Sequence, residues 1–141
     1  MVNITNGQLE TLLLTKAMSD SVGKIERWTS LYDVVDEILV NGAVDREKYL
    51  HGVMELTQLG LLESSLESEE DIELSEAVGF DINGLTAEGI AYIEKLNDKP
   101  ELKEKVAIFF DKVNEVCGAI NDNDAVNLFF EKILPILLLF R

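Results

Sequence analysis

Residues 53–63, VMELTQLGLLE, and residues 85–90, LTAEGI, are the stretches from which the fold of this chain is inferred. In the first, an apolar helical pattern stops at Gly60, and the aliphatic run that follows predicts a short strand. In the second, Thr86 is placed to cap a helix that continues through Leu96. Together they predict a β-hairpin with a helix on either side.

The strands of this hairpin are expected at residues 61–66 and within residues 72–82. In the second range, residues 78–82 alternate apolar and other side chains, which is typical of a half-buried strand. The Asn83-Gly84 pair that follows is a turn signal. The acidic residues between the two strands are expected to form a loop.

Three helices are predicted before the hairpin, over residues 6–18, 30–40 and 45–59, with a break at residues 19–23. Asn6 and Asp45 are the expected N-caps of the first and third helices. Gly42 lies just past the second helix, where glycine is favoured. The apolar side chains of these helices and of the helix after Thr86 should face the core: Leu9, Leu12, Leu13, Ala17, Leu31, Val34, Val35, Ile38, Tyr49, Leu50, Val53, Leu56, Leu59, Ile90, Ile93 and Leu96.

Residues 97–100, NDKP, are the clearest boundary in the chain, because Pro100 suits the first turn of a new helix. We therefore predict a domain of residues 1–98 and a C-terminal helical region of residues 99–141, for dimerisation or packing. A last helix should begin at Ala125, after a break at residues 121–124, and Pro135 should kink or end it.

The helix after Pro100 has apolar residues separated alternately by four and three positions, which is the pattern of a helix–helix seam. Together with the phenylalanines near the C-terminus, this apolar surface exceeds what two isolated helices can bury. We favour a homodimer, with packing back onto the rest of the chain as the alternative. The residues expected at the dimer interface are Leu102, Val106, Phe109, Val113, Val116, Phe129, Phe130 and Ile133.

The order helix, helix, helix, hairpin, helix over about residues 6–97 resembles a winged helix-turn-helix domain. Residues 53–63 look like the end of a winged-helix recognition helix entering the first wing strand. Residues 85–90 are similar to the LTxxG step that follows the second strand in bacterial regulators of the MarR and PadR families. The resemblance implies a mainly α (α+β) fold, with dimerisation through helices outside the wing. The other interpretation is an unrelated small α+β domain.

Negative charge is concentrated in the middle of the chain. The net charge is −15, and residues 61–98 carry eleven acidic side chains against a single basic one, Lys95. The densest run, residues 67–71, falls where the wing of a DNA-binding relative would carry Arg or Lys. Such a loop repels phosphates, on whose neutralisation affinity for DNA largely rests. The simpler interpretation is a solvated loop that keeps the protein soluble.

Two functions are compatible with this sequence. The favoured one is a regulatory winged-helix protein that acts through protein–protein interaction, using apolar C-terminal helices and an acidic wing that docks a basic or DNA-binding protein. The wing residues are Glu67, Glu69, Glu70, Asp71 and Glu73. The alternative is a dimeric DNA-binding transcriptional regulator. For that function, the resemblance implies contacts from Arg46, Lys48 and Gln58, and Lys16, Lys24 and Arg27 could extend the basic face.

Enzymatic chemistry is not indicated, and we expect no cofactor or metal. His51 and Cys117 are the only histidine and cysteine, and no phosphate-binding or zinc-binding motif is present. Residues 1–10 lack the basic and apolar regions of a signal peptide. The apolar residues 128–140 are too short to span a bilayer and include two charged side chains. We therefore expect a cytoplasmic protein without membrane contact.

Overall fold

The computed structural model describes residues 3–24, 28–42, 44–118 and 127–140, without the side chain of Phe130. Arg27, the break at residues 121–124, the helix start at Ala125 and the Phe130 side chain, all named above, lie outside this description. The elements are α1 (Asn6–Ser21), α2 (Leu31–Asn41), α3 (Arg46–Gln58), β1 (Leu62–Ser64), α4 (Glu69–Val78), β2 (Ile82–Leu85), α5 (Ala87–Lys95), a 3₁₀ turn (Leu96–Asp98), α6 (Pro100–Cys117), a π-helical turn (Phe129–Ile133), α7 (Leu134–Leu137) and a second 3₁₀ turn (Leu138–Phe140).

Side-chain caps determine where the first three helices begin. Thr5, rather than the expected Asn6, caps α1, because its hydroxyl and the Gln8 side chain each accept a hydrogen bond from the other residue's backbone N–H. The helix continues past Met18 to Ser21, since both of these residues are buried in the core. The starts of α2 and α3 follow Ser30 and Asp45, whose side-chain oxygens accept from backbone N–H groups three residues on.

The two strands pair antiparallel as expected, but the second strand and its connection differ from the prediction. Leu62 pairs with Leu85, and Glu63 with Gly84, so Asn83-Gly84 lies inside β2 and is not a turn. Of the range predicted for the second strand, only Ile82 belongs to β2.

The acidic segment between the strands is the helix α4 and not a loop. Ser68 caps it in a reciprocal arrangement with Asp71, and three acidic residues occupy its first turn. Carboxylates are favoured there because they interact with the unpaired N–H groups and the positive end of the helix dipole. The acidic run that predicted a loop is thus a helix start signal.

Residues 53–63 and residues 85–90 meet in space. The backbone N–H of Thr86 donates to the carbonyl oxygen of Leu61 (3.1 Å), and the Thr86 hydroxyl donates to that of Gly60 (2.6 Å). Gly89 lies so close that a Cβ atom there would be 2.1 Å from the Leu61 oxygen. The threonine and the glycine of residues 85–89 therefore join the start of α5 to the end of α3.

Helix α1 lies at the centre of the molecule and packs against α2, α3, α6 and α7. Most of the predicted core residues are buried, but Leu59 and Ile90 are exposed. These two predictions were wrong because Leu59 follows the last residue of α3, and Ile90 lies on the outward face of α5.

Most residues of the predicted dimer seam are buried within a single chain. Val106, Phe109, Val113, Val116, Phe129 and Ile133 are each at most 2% exposed, and Leu102 is half-buried. The ring of Phe109 packs edge-on against Phe140, and that of Phe129 against Trp28. In this packing the seam is part of the chain's own core, so its apolar pattern does not require a second copy.

The helix around Pro135 departs from regular α-helix, as the missing N–H of proline leads one to expect. A π-helical turn, Phe129–Ile133, directly precedes α7. Lys132 in this turn forms an ion pair with Glu115 of α6, which lowers the pKa of that carboxyl group. In the described part of the chain, no helix is long and apolar enough to cross a membrane.

Candidate functional site

Helix α4 lies against the outward face of α3 and is tied to it by three polar contacts. The Arg46 guanidinium donates to the Ser75 hydroxyl (3.2 Å), and Nε2 of His51 lies 2.8 Å from the Glu69 carboxylate. The Gln58 side chain donates to the backbone carbonyl of Glu67 (2.9 Å). These contacts extend from the first turn of α3 to its last, where the partner is Glu67 in the segment just before α4.

The structure separates the three residues predicted to contact DNA. Arg46 is half-buried, and its guanidinium also lies over the ring of Phe80, 5.8 Å from its centre. Gln58 is exposed, but its amide is engaged at the start of α4. Lys48 is exposed on another part of α3. In this conformation, two of the three side chains hold α4 in place.

The five acidic residues predicted to bind protein fall into two groups. Asp71 accepts hydrogen bonds from the backbone N–H groups of Glu67 and Ser68 and so supports the start of α4. Glu67 and Glu69 contact α3, as described above. Glu70 and Glu73 are exposed, as is Glu76 on the next turn of the helix. Glu67 and Glu69 are exposed as well, so the exposed carboxylates run from Glu67 through Glu70 and Glu73 to Glu76, and the last was missing from the predicted site.

His51 has an acceptor at each of its ring nitrogens. Nδ1 lies 2.7 Å from the backbone carbonyl of Glu47, and Nε2 faces the Glu69 carboxylate. Only the protonated ring can donate to both, because a neutral imidazole has a single N–H. The hydrogen bond to the Glu47 carbonyl, followed by the one to Glu69, therefore raises the pKa of His51 above its ordinary value.

The contact between His51 and Glu69 should make folding stability depend on pH. A folded-state pKa raised above the unfolded value contributes stability that is fully present below about pH 6.5 and is lost as the pH rises through the folded pKa. In Glu69→Gln this loss should shrink, while Glu70→Gln removes the same charge one residue along and should retain it. Chemical denaturation between about pH 5 and pH 8 measures the difference. Equal pH dependence in both variants would contradict the assignment.

A groove of about 510 Å³ lies beside α4 and is lined by apolar side chains together with Asp71 and Asp81. Leu74 and Val78, which lie on one side of α4, are 49% and 78% exposed. Across the groove, the rings of Tyr32 and Phe80 pack edge-on with their centres 5.6 Å apart. We call this surface the α4 face; it comprises Tyr32, Glu70, Asp71, Glu73, Leu74, Glu76, Val78, Phe80 and Asp81.

The apolar half of the α4 face was missed in the sequence. Leu74 and Val78 are four residues apart on a strongly acidic helix, which is the signal that could have revealed it. That signal is visible only once residues 69–78 are known to be helical. Tyr32 belongs to α2 and reaches the groove through tertiary packing alone.

In ranges 3–24, 28–42, 44–118 and 127–140, no three His, Cys, Asp or Glu side chains are grouped so that they could hold a metal ion. The Cys117 thiol is half-buried 3.6 Å from the Ser21 hydroxyl, between α6 and the end of α1.

In the described residues the fold is mainly α-helical with one two-stranded antiparallel sheet, and the candidate site is an exposed acidic and apolar helix face. No family model matches this chain, and neither a curated protein nor a solved structure is significantly similar to it. The functional proposal therefore rests on the fold and on this face.

Proposed function

We propose that this chain is a non-enzymatic, cytoplasmic regulatory protein of the winged-helix type that binds a basic protein through the α4 face. The observation that carries the proposal is the exposure of two large aliphatic side chains, Leu74 and Val78, among the carboxylates of one helix. Large apolar side chains next to charges of one sign are typical of a surface that a partner of the opposite charge covers.

Each part of the α4 face has its own role in this proposal. Burial of an aliphatic side chain contributes about 1.5–3 kcal/mol, so Leu74 and Val78 supply most of the affinity. The carboxylates at the rim mainly increase the rate of association and select a positively charged partner. The positively charged groove of a DNA-binding protein has the matching chemistry, and the chain would then act as its antagonist or adaptor.

DNA binding is the less favoured function because of where α4 lies. Two of the side chains that would contact bases, Arg46 and Gln58, are engaged by α4. A duplex that approached this face of α3 would also meet the carboxylates of α4, which repel phosphates. DNA binding would thus require α4 to move away from α3.

The predicted homodimer remains a proposal, and in this conformation most of the predicted seam already makes contacts within one chain. Apart from the half-buried Leu102, the described seam residues of α6 and of the π-helical turn are almost entirely buried within one chain. A dimer would have to form through side chains that stay exposed, such as Ile108 or Leu139.

Charge reversal on α4 should weaken binding to a basic probe. The probe is a fluorescein-labelled peptide of alternating Arg and Leu, titrated at low salt and followed by anisotropy. We expect Glu70→Lys combined with Glu73→Lys to reduce affinity about tenfold, because two favourable charge pairs become repulsive. The control, Glu94→Lys with Glu104→Lys, makes the same change of net charge on α5 and α6 and should bind like the unchanged protein.

A labelled random-sequence DNA duplex is the second arm of this experiment. Low salt maximises the part of DNA affinity that does not depend on sequence, so a DNA-binding face would be detected there. We expect no binding. DNA binding that weakens steeply with added salt would overturn the proposal in favour of a transcriptional regulator. Equal peptide binding by both double variants would show that the α4 face is not where the basic peptide binds.

A further inference from the structure

A second and larger groove lies between the N-terminal half of α1, the start of α3 and the C-terminal segment that contains α7. Its volume is about 1180 Å³. The apolar residues that line it are Leu14, Val44, Leu134, Pro135, Leu137 and Leu138. Leu14 and Leu137 are buried at its base, whereas Leu138 is 54% exposed. No residue of the α4 face lines this groove, so it is a separate surface.

Four carboxylates line the rim of this groove, on Glu10, Asp45, Glu47 and Glu55, against the cation of Lys48 and the imidazole of His51. The Gln8 amide donates to the Glu55 carboxylate (2.5 Å) and so links α1 to α3 across the groove. An apolar base and a negative rim are complementary to a ligand that is apolar on one side and positively charged at its edges.

The size and the walls of the groove favour a helix as the occupant. A helix about 10 Å in diameter with a rise of 1.5 Å per residue occupies roughly 120 Å³ per residue, so the groove is comparable to about ten residues, or three turns. Its walls are themselves helices, against which a further helix can pack its apolar stripe. A second copy of this chain is a poor occupant, because its net charge of −15 repels a rim of the same sign.

We propose that this groove binds an amphipathic α-helix of a partner protein, with Lys or Arg on the flanks of the helix and aliphatic residues on the side that enters the groove. This inference goes beyond the proposed function, since it concerns other residues. The aliphatic stripe of the bound helix would contact Leu134, Leu137 and Leu138, and its cations would face Glu10, Glu47 and Glu55.

The probe for this proposal is a fluorescein-labelled peptide of about 12 residues, roughly three helical turns, with Leu at positions that form one helical face and Lys elsewhere. A peptide of the same composition, with its leucines distributed around the helix, is the control. We expect the first peptide to bind the full chain at least about tenfold more tightly, because only it can bury all its leucines at once.

Two variants of the chain locate the binding. Leu138→Lys places a cation in the groove and should reduce the affinity for the helical peptide at least about tenfold. Leu139→Lys adds the same charge at a neighbouring residue, 45% exposed, that does not line the groove, and should leave affinity unchanged. Circular dichroism and thermal unfolding of both variants check that they fold. Methyl NMR of leucine-labelled protein should show shifts for Leu14, Leu134 and Leu137 when the peptide is added.

Equal binding of the two peptides, or unchanged affinity in a folded Leu138→Lys variant, would overturn the proposal. A chain that is dimeric in sedimentation and becomes monomeric in Leu138→Lys would show that a second copy occupies the groove instead. The Glu70→Lys with Glu73→Lys variant should bind the helical peptide as the unchanged protein does. The experiments can therefore show separately whether the α4 face binds a basic partner and whether the groove binds a helix.

Discussion

Gly89→Ala is expected to lower the free energy of unfolding by about 3 kcal/mol or more. The added methyl carbon would lie 2.1 Å from the carbonyl oxygen of Leu61 and 3.1 Å from its carbonyl carbon. These are backbone atoms, so no side-chain rotation can relieve the overlap, and the start of α5 would have to move. The same movement would break the hydrogen bonds from Thr86 to Leu61 and Gly60.

Gly7→Ala is the matched control for this substitution. Gly7 also lies in the first turn of a helix, and a Cβ atom there has only the Thr5 hydroxyl within 4 Å, at 3.9 Å. Alanine at this position should stabilise the protein slightly, by about 0.5–1 kcal/mol, because it restricts the unfolded chain. Denaturant unfolding measures both variants. A Gly89→Ala protein as stable as Gly7→Ala would contradict the close approach of α5 to Leu61.

Phe109→Ala should lower the free energy of unfolding by about 3–5 kcal/mol, the usual range for deleting a buried phenylalanine ring. Phe109 is fully buried and packs against Phe110 and Phe140. Since the ring is covered by its own chain, the effect of Phe109→Ala on the melting temperature should be the same at every protein concentration. An interface between two copies would instead give a melting temperature that rises with concentration.

Ile108→Ala is the control for Phe109, because Ile108 is the adjacent residue of α6 and is exposed. We expect a loss of less than about 1 kcal/mol, as for other exposed side chains. Thermal unfolding over a range of protein concentrations, combined with sedimentation, distinguishes the two packings. If the melting temperature of the unchanged protein rises with concentration, and Phe109→Ala abolishes that rise, the seam joins two copies after all.

Local signals in the sequence predicted the beginnings and ends of several helices correctly. Asp45 and Thr86 cap α3 and α5, Pro100 is the first residue of α6, and Gly42 follows α2. These signals can be recognised in one sequence because the interactions concerned join residues only three or four positions apart. The predicted hairpin strands also pair antiparallel, although β2 begins only at the last residue of its predicted range.

Only half of the candidate site was predicted, because the other half depends on contacts between residues that are far apart in the chain. The acidic run was recognised, but Ser68 and Asp71 can start a helix only if the buried Ile72 and Ser75 hold that helix against α3. An acidic sequence alone is compatible with either a loop or a helix. The contacts of Arg46, His51 and Gln58 with α4 join residues far apart in the chain, and periodicity carries no information about them.

The sequence by itself determined which residues are apolar, where several helices begin, and where the negative charge lies. Tertiary structure decided what covers each apolar face. The pattern of four and three residues in α6 is the same for a seam between two copies and for one within a single chain, since both bury the same helical face. In this structure α1 lies beside α6 and α7, so the face is covered within one chain. Packing of α4 on α3 likewise decided that Arg46 and Gln58 hold a helix, because their partners come within reach only when the chain is folded.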